Sequence, residues 1–445
     1  MARVIQIWRD WSVQQRAAAA AGACLVLAGA ALAGYLVLKR PGDVVNPEAT
    51  FEPKKEVTKK KKRVRTTNWP LYGLNRARTR YLPAKGLEPP FRQVWHFDAG
   101  ELLEFSPILV GRTLYVMNND AKVFALNSET GNVKWKREIG KLSASAPTFS
   151  RDRLFLTTLE PGQAVALNAK TGKVLWRRGL PGRSESQPLV EGGRVYLGDE
   201  SGNVWGLDAD SGKVAWQTPT AGNVKAGPAF HDGTLYVGDY AGEMYALRAS
   251  DGGVRWKASD LGAGFGRSGR FYSTPAVAFG RVYAGNADGR VYSFEERTGD
   301  LAWSASLNGY VYAAPAVADA PGTPPSVYVG TNGGTAYALD ARSGSEIWSV
   351  DMGGEISGAG SVVGKVFYLA NVDLEKTVGL DIKSGKPVYN INRGAYTPVI
   401  SDTRRIYLTG YASVAAMEPK DRGKGARKGS RKSKRGGNKP NRAGG

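Results

Sequence analysis

The chain has 445 residues, with 57 glycines, 20 tyrosines and 11 tryptophans, a composition that suits many short strands joined by tight turns better than it suits helices. Its net charge of +21 is confined to the ends: residues 1–90 carry 17 basic against 6 acidic side chains, residues 420–445 carry 11 against 1, and residues 91–419 carry 33 of each. The body therefore has no net charge to steer a polyanion, and the single cysteine, Cys24, excludes an intrachain disulfide and a thiolate metal cluster.

After a short N-terminal tail (1–16), the segment from Ala17 to Leu38 is uncharged. As a helix rising about 1.5 Å per residue it matches a hydrocarbon core of about 30 Å. Arg3, Arg9 and Arg16 precede it, Lys39 and Arg40 follow it, and Trp8 and Trp11 are placed for the interface. The expectation is a transmembrane signal anchor in the plasma membrane. The body would then be single-pass and extracytoplasmic, since large domains translocate largely regardless of flanking charge. Two alternatives are a signal peptide cleaved at Ala31-Leu32-Ala33 and a lipoprotein signal ending at Cys24. The apolar run Tyr35 to Leu38 argues against the first, and the position of most apolar residues after Cys24 argues against the second.

Residues 39–90 are expected as a basic flexible linker and lead-in, with the run KKEVTKKKKRVR from Lys54 to Arg65. That run and the tail, residues 420–445, are too charged to bury a core and are expected to be disordered. Outside the cell they would meet anionic envelope polymers or lipid head groups; nucleic acid becomes a partner only if the body is cytoplasmic. His96 and His231 stand in unrelated contexts and are read as structural or solvated.

From residue 91 onward the sequence repeats. ALNSETGNVKW ends at Trp135, ALNAKTGKVLW at Trp176, GLDADSGKVAW at Trp216 and ALRASDGGVRW at Trp256; SFEERTGDLAW ends at Trp303, ALDARSGSEIW at Trp348, and GLDIKSGKPVY at Tyr389. Periods of 40 to 47 residues with alternating apolar and polar positions indicate four-stranded units, as in PLVEG, RVYLG, NVWGLD and KVAW. Strand starts at Pro107, Pro147, Pro188, Pro228, Pro275, Pro315, Ala359 and Pro398 number eight, but the eighth unit stops after three strands. FRQVWHFD, Phe91 to Asp98, is an orphan fourth strand whose Trp95 is in phase with the repeat. The prediction is an all-β, eight-bladed propeller over residues 91–419, closed by that N-terminal strand, which removes the exposed sheet edges.

The A-L-(D/N)-x-x-(T/S)-G-K-x-x-W pattern resembles the tryptophan-docking motif of PQQ-repeat propellers, the quinoprotein alcohol dehydrogenase-like family, nearest to its BamB-like noncatalytic members. The lead-in WPLYGLNRARTRY, Trp69 to Tyr81, is similar to the opening that precedes such propellers. The resemblance implies structural docking roles for Trp95, Trp135, Trp176, Trp216, Trp256, Trp303, Trp348 and Tyr389. A WD-repeat propeller is disfavoured because no Trp-Asp signature recurs.

Quinoprotein dehydrogenases of this family hold PQQ near a vicinal disulfide with a calcium site. The chain has no Cys-Cys pair and lacks long insertions, so no cofactor, metal ligand or catalytic residue is assigned, and PQQ with calcium remains the alternative. Asp199, Asp239 and Asp288 lie in glycine-rich turns and are read as turn caps. The match to G-x-G-x-x-G from Gly264 to Gly269 lacks the strand and helix that phosphate cradling needs. Loops feeding the first strand of each unit crowd one end of a propeller axis. They supply Glu104, Phe105, Arg183, Glu185, Lys225, Arg267, Arg270, Phe271, Tyr272, Tyr310, Tyr312, Glu355 and Tyr396, a polar and aromatic mouth suited to a protein, glycan or small ligand. The expected function is a membrane-anchored, noncatalytic binding or scaffold module of the cell envelope.

Overall fold

A computed structural model describes residues 12–38, 41–53, 68–262 and 269–420. Arg267, most of the N-terminal tail, the basic run from Lys54 to Arg65 and residues 421–445 lie outside the described residues.

Each repeat folds as expected. In the third, Leu189–Glu191, Arg194–Asp199, Asn203–Asp208 and Val214–Pro219 form an antiparallel sheet in sequence order. The middle two strands are buried on both faces, whereas the outermost alternates, and Trp216 is its one fully buried position. The chain forms eight such sheets. Their first strands touch from blade to blade and so line the axis.

Blade eight takes its outer strand from the other end of the body. Phe91–Asp98 pairs antiparallel with Ser413–Pro419, from Phe91↔Pro419 to Asp98↔Ser413. Closure is therefore noncovalent and uses a full-length ladder.

Blade-to-blade docking has a single recurring geometry. Each indole N–H donates to a carbonyl of the next blade at 3.0–3.1 Å: Trp95 to Ser128, Trp135 to Ala169, Trp176 to Ala209, Trp216 to Ala249, Trp256 to Glu296, Trp303 to Ala341 and Trp348 to Ile382. The ring lies on the positive-φ glycine of that next blade's turn, which follows a Thr or Ser in six cases and Asp251 in the seventh, where Trp216 meets Gly252. A Cβ on Gly212 would come within 2.7 Å of Trp176, and φ there is +68°, so both the seat and the turn require glycine. The preceding Asp or Asn holds the turn: Asp208 Oδ1 accepts from the Ser211 amide at 2.8 Å and its hydroxyl at 2.6 Å.

Tyr389 is the exception, and the closure explains it. Its blade faces blade eight, where the chain break between Pro419 and Phe91 replaces the glycine turn, so there is no seat for an indole. The Tyr389 ring packs edge-on against Phe91 instead, with centroids 5.3 Å apart.

Two stretches expected as linker and lead-in pack on the body. Residues 69–82 cross one end of the axis, bonding the first strands of six blades: Trp69 with Leu109, Pro70 O with Phe149 N, Arg76 O with Phe230 N, Ala77 O with Val277 N, Thr79 O with Val317 N and Arg80 O with Val362 N. Arg78, fully buried, donates to the carbonyls of Tyr72, Gln187, Pro188 and Pro228. Burial, and after it the neighbouring Arg80, lower its pKa to about 9, so it keeps its charge at neutral pH.

Residues 41–53 lie along the outer strand of blade five, Leu301–Ser306. Asn46 N donates to Ala302 O at 2.7 Å, Ser304 N to Val44 O at 2.9 Å, and Asp43 Oδ1 accepts from Ser306. Phe51 meets Phe279 at 5.3 Å, and Arg281 donates to the Ala49 and Thr50 carbonyls. This cover makes Trp303 fully buried, where Trp216 and Trp256 keep 8–9 % exposure.

The N-terminal segment forms one helix, Val13–Leu38. Among the described residues, however, no helix is long and apolar enough to cross a membrane, so the structure does not establish the expected span. Most of residues 17–38 are alanine or glycine, which bring little apolar surface per turn.

Deleting Phe91–Asp98 is expected to abolish the closed ring, read as loss of the near-ultraviolet tryptophan dichroism and of cooperative melting. Arg78→Ala leaves buried carbonyls unsatisfied and is expected to cost more than about 3 kcal/mol in chemical denaturation.

Candidate binding site

The connections entering the first strands converge on the end of the axis opposite the lead-in's outer face. They enclose a cavity of about 350 Å³, floored by Tyr72 of the lead-in. Of the residues predicted for the mouth, Glu104, Phe105, Glu185, Lys225, Arg270, Tyr272, Tyr312 and Tyr396 line it. Three do not. Arg183 is exposed on its turn, Tyr310 stands at the rim, 51 % exposed, with its ring 5.7 Å from Tyr312, and Glu355 turns aside to accept from the Ser357 hydroxyl. Phe271 is wholly buried in the core behind the wall.

The polar groups divide into a bonded set and two that stand apart. Lys225 Nζ lies 2.5 Å from Glu185 Oε1 and 3.2 Å from Glu200 Oε1, and Tyr272 donates to Glu185 Oε2 at 3.2 Å. Burial alone would lower the Lys225 pKa, but the bonds to Glu185 and Glu200 outweigh it and the pKa is raised. Tyr272 is pushed up by burial first and then by Glu185. Gln187 donates to the Glu185 carbonyl at 3.0 Å and accepts from Thr274 at 3.2 Å, fixing the wall below.

Arg270 is exposed, its guanidinium 5.4 Å from the centroid of Tyr240. Glu104 is largely buried, and its carboxylate has no hydrogen-bond or ion-pair partner among the described residues; only its backbone carbonyl is used, by Thr397 at 3.2 Å. Burial, and then repulsion from Glu185, raise its pKa to about 7 against the weaker pull of Lys225.

Sequence reasoning missed Tyr72, Gln187 and Tyr240. Tyr240 and Glu200 each follow the Asp of a Gly-Asp turn, so the signal was present but read only as turn chemistry. The turn reading itself agrees with the geometry: Asp199 Oδ1 accepts from Ser201 and Asn203, and Asp239 Oδ1 from Ala241 and Glu243. His231 bonds Glu296 at 2.5 Å on the surface, away from the mouth.

Fold and motif together define a PQQ-type eight-bladed propeller with an axial cavity. The chain belongs to the family described as outer membrane protein assembly factor BamB, whose model matches residues 91–145, 140–259, 220–322 and 287–426. No curated protein matches it. Among solved structures it is similar to BamB from Moraxella catarrhalis, at 19% identity and a TM-score of 0.63 over 74% of this chain and 100% of that one. It is also similar to a europium-containing methanol dehydrogenase (16%, 0.67, over 79% and 90%) and to quinohemoprotein alcohol dehydrogenase from Comamonas testosteroni (14%, 0.68, over 80% and 81%). At these identities the likeness is one of fold.

The residues present do not fit PQQ, a planar tricarboxylate. Of the two cations that line the cavity, Lys225 is already bonded to two carboxylates and Arg270 is exposed, and Glu104 would face a ligand carboxylate directly. The only cysteine, Cys24, is on the N-terminal helix, so no cysteine pair flanks the cavity.

Because the folded pKa of Glu104 exceeds its unfolded value, the protein loses stability as pH rises from about 4.5 to about 7. Glu104→Gln removes that loss. At pH 8 the variant should be more stable than the parent by roughly 2–3 kcal/mol, converging with it near pH 4, as checked by denaturant melts across that range.

Proposed function

We propose that this chain is a noncatalytic binding module, anchored in a membrane by residues 17–38, that captures a segment of a partner protein at its axial mouth. The observation that carries the reading is the state of the cavity's polar groups. Glu185, Lys225 and Glu200 satisfy one another, and the Tyr272 and Ser357 hydroxyls are engaged by Glu185 and Glu355. The rim presents Arg270, Tyr310 and Tyr312, residue types that dominate protein contacts. A cavity blind at the lead-in end accepts a side chain or chain terminus rather than a passing strand. The anchor draws on the uncharged stretch 17–38 of the sequence, and the basic arms on either side of the neutral body suit anionic lipid or envelope polymer close to that membrane. The competing reading, a PQQ-dependent oxidoreductase, draws on the shared fold alone.

A photoreactive residue at Tyr310 in the full chain, in intact cells, is expected to capture a defined partner, with capture lost when Tyr312→Ala is added. The same probe at Lys213 on the outer rim should capture nothing comparable. Equal capture at both positions, or PQQ- and calcium-dependent dye reduction by the purified chain, overturns the reading. Carbonate washing should leave the full chain in the membrane pellet and release a variant lacking residues 17–38; release of both removes the anchor.

A further inference from the structure

We propose that the axial mouth receives a primary ammonium group, the end of a partner's lysine side chain, with Glu104 as its counter-ion and Tyr272 and Tyr396 beside it. This rests on the binding reading above and specifies what that site recognises.

The pairing of charges at the cavity points to a cation. Its lining carries Glu104 and Glu185 against Lys225 and Arg270; Lys225 is taken up by Glu185 and by Glu200 behind it, and Arg270 is exposed over the Tyr240 ring, which leaves the Glu104 carboxylate as the acid without an ion-pair partner among the described residues. An anionic ligand would meet that unpaired carboxylate. A metal ion would need more donors than Glu104 offers, since among the described residues no group of three or more His, Cys, Asp or Glu is placed to hold one.

The cavity also holds a template for the missing cation. Lys225 Nζ sits between two carboxylates and 5.6 Å from the centroid of the Tyr240 ring, an ammonium held by charge and by a ring face. Glu104 repeats this arrangement without its ammonium. It is a part-buried carboxylate with no hydrogen-bond or ion-pair partner among the described residues, and it lines the cavity together with Tyr272 and Tyr396. Burying an ion without a partner is costly, and a bound ammonium would relieve that cost. At about 350 Å³ the cavity admits a lysine side chain and leaves the partner's backbone at the rim with Tyr310 and Arg270.

The test uses the full chain in detergent, titrated calorimetrically with n-butylammonium, with n-butanol and butyrate as neutral and anionic controls of equal length. Butylammonium should bind saturably, at least about tenfold more tightly than either control. Its affinity should rise as pH increases through about 7, where Glu104 ionises beside Glu185, Lys225, Tyr272 and Tyr396. Glu104→Gln should weaken binding about tenfold and abolish the pH dependence while melting no lower than the parent. Acetyl-Gly-Lys-Gly-amide should bind more tightly than butylammonium if the source is a partner's lysine; equal affinity would assign the site to a free small amine. Butanol binding as tightly as butylammonium, or unchanged affinity in Glu104→Gln, overturns the proposal. Capture by the Tyr310 probe that persists in Glu104→Gln would show that the mouth binds its partner by other contacts, so the two readings fail separately.

Discussion

The structure depends on one interaction used seven times: an indole laid on the glycine turn of the next blade, its N–H bonded to a carbonyl there. A four-stranded blade cannot bury both of its faces alone. The ring face supplies apolar area, the N–H satisfies a carbonyl that blade contact would otherwise strand, and the positive-φ glycine removes the Cβ that would hold the two apart. Blades one to six thus each carry a Trp at one edge and, one turn earlier, the seat for a neighbour's. Repetition of that half-and-half unit generates a ring rather than a stack with free ends.

A ring needs one place where the covalent pattern is broken, and the break has local consequences. Pro419 and Phe91 meet across a hydrogen-bonded ladder instead of a turn, the glycine seat is lost, and Tyr389 with Phe91 fills the space. The same N-terminal region that closes the ring also plugs it. The lead-in ties the first strands together and delivers Arg78 to carbonyls of blades three and four. A wall braced in this way can hold a buried carboxylate such as Glu104 in a fixed place without a protein partner, as a preorganised binding site requires.

Much of this was legible in the residues. The Trp spacing and the orphan FRQVWHFD strand identify eight blades and the closure, because docking imposes the same chemistry at a fixed period. The mouth was legible in outline, since any residue just before a first strand points to the axis; eight of the predicted residues line the cavity, whereas Arg183, Tyr310 and Glu355 sit a residue or two too far out along their connections. What sequence did not disclose depends on contacts distant in the chain. Arg78 reaches carbonyls 109 to 150 residues away, and residues 41–53 bond a strand some 250 residues later without any pattern of their own. A retrospective hint exists in Ala302, Ser304 and Ala305, small side chains on the outer strand of blade five that leave its edge open to the Val44–Asn46 backbone.

The account is tested most directly by a double-mutant cycle on one docking pair, Trp176 and Gly212, measured by denaturant unfolding. If the indole is seated on the glycine, Gly212→Ala carries both backbone strain and a clash in the parent but strain alone once Trp176→Leu has emptied the seat. The account therefore predicts a coupling of at least about 1 kcal/mol between the two substitutions. Additive effects, with no coupling beyond about 0.3 kcal/mol, would contradict it.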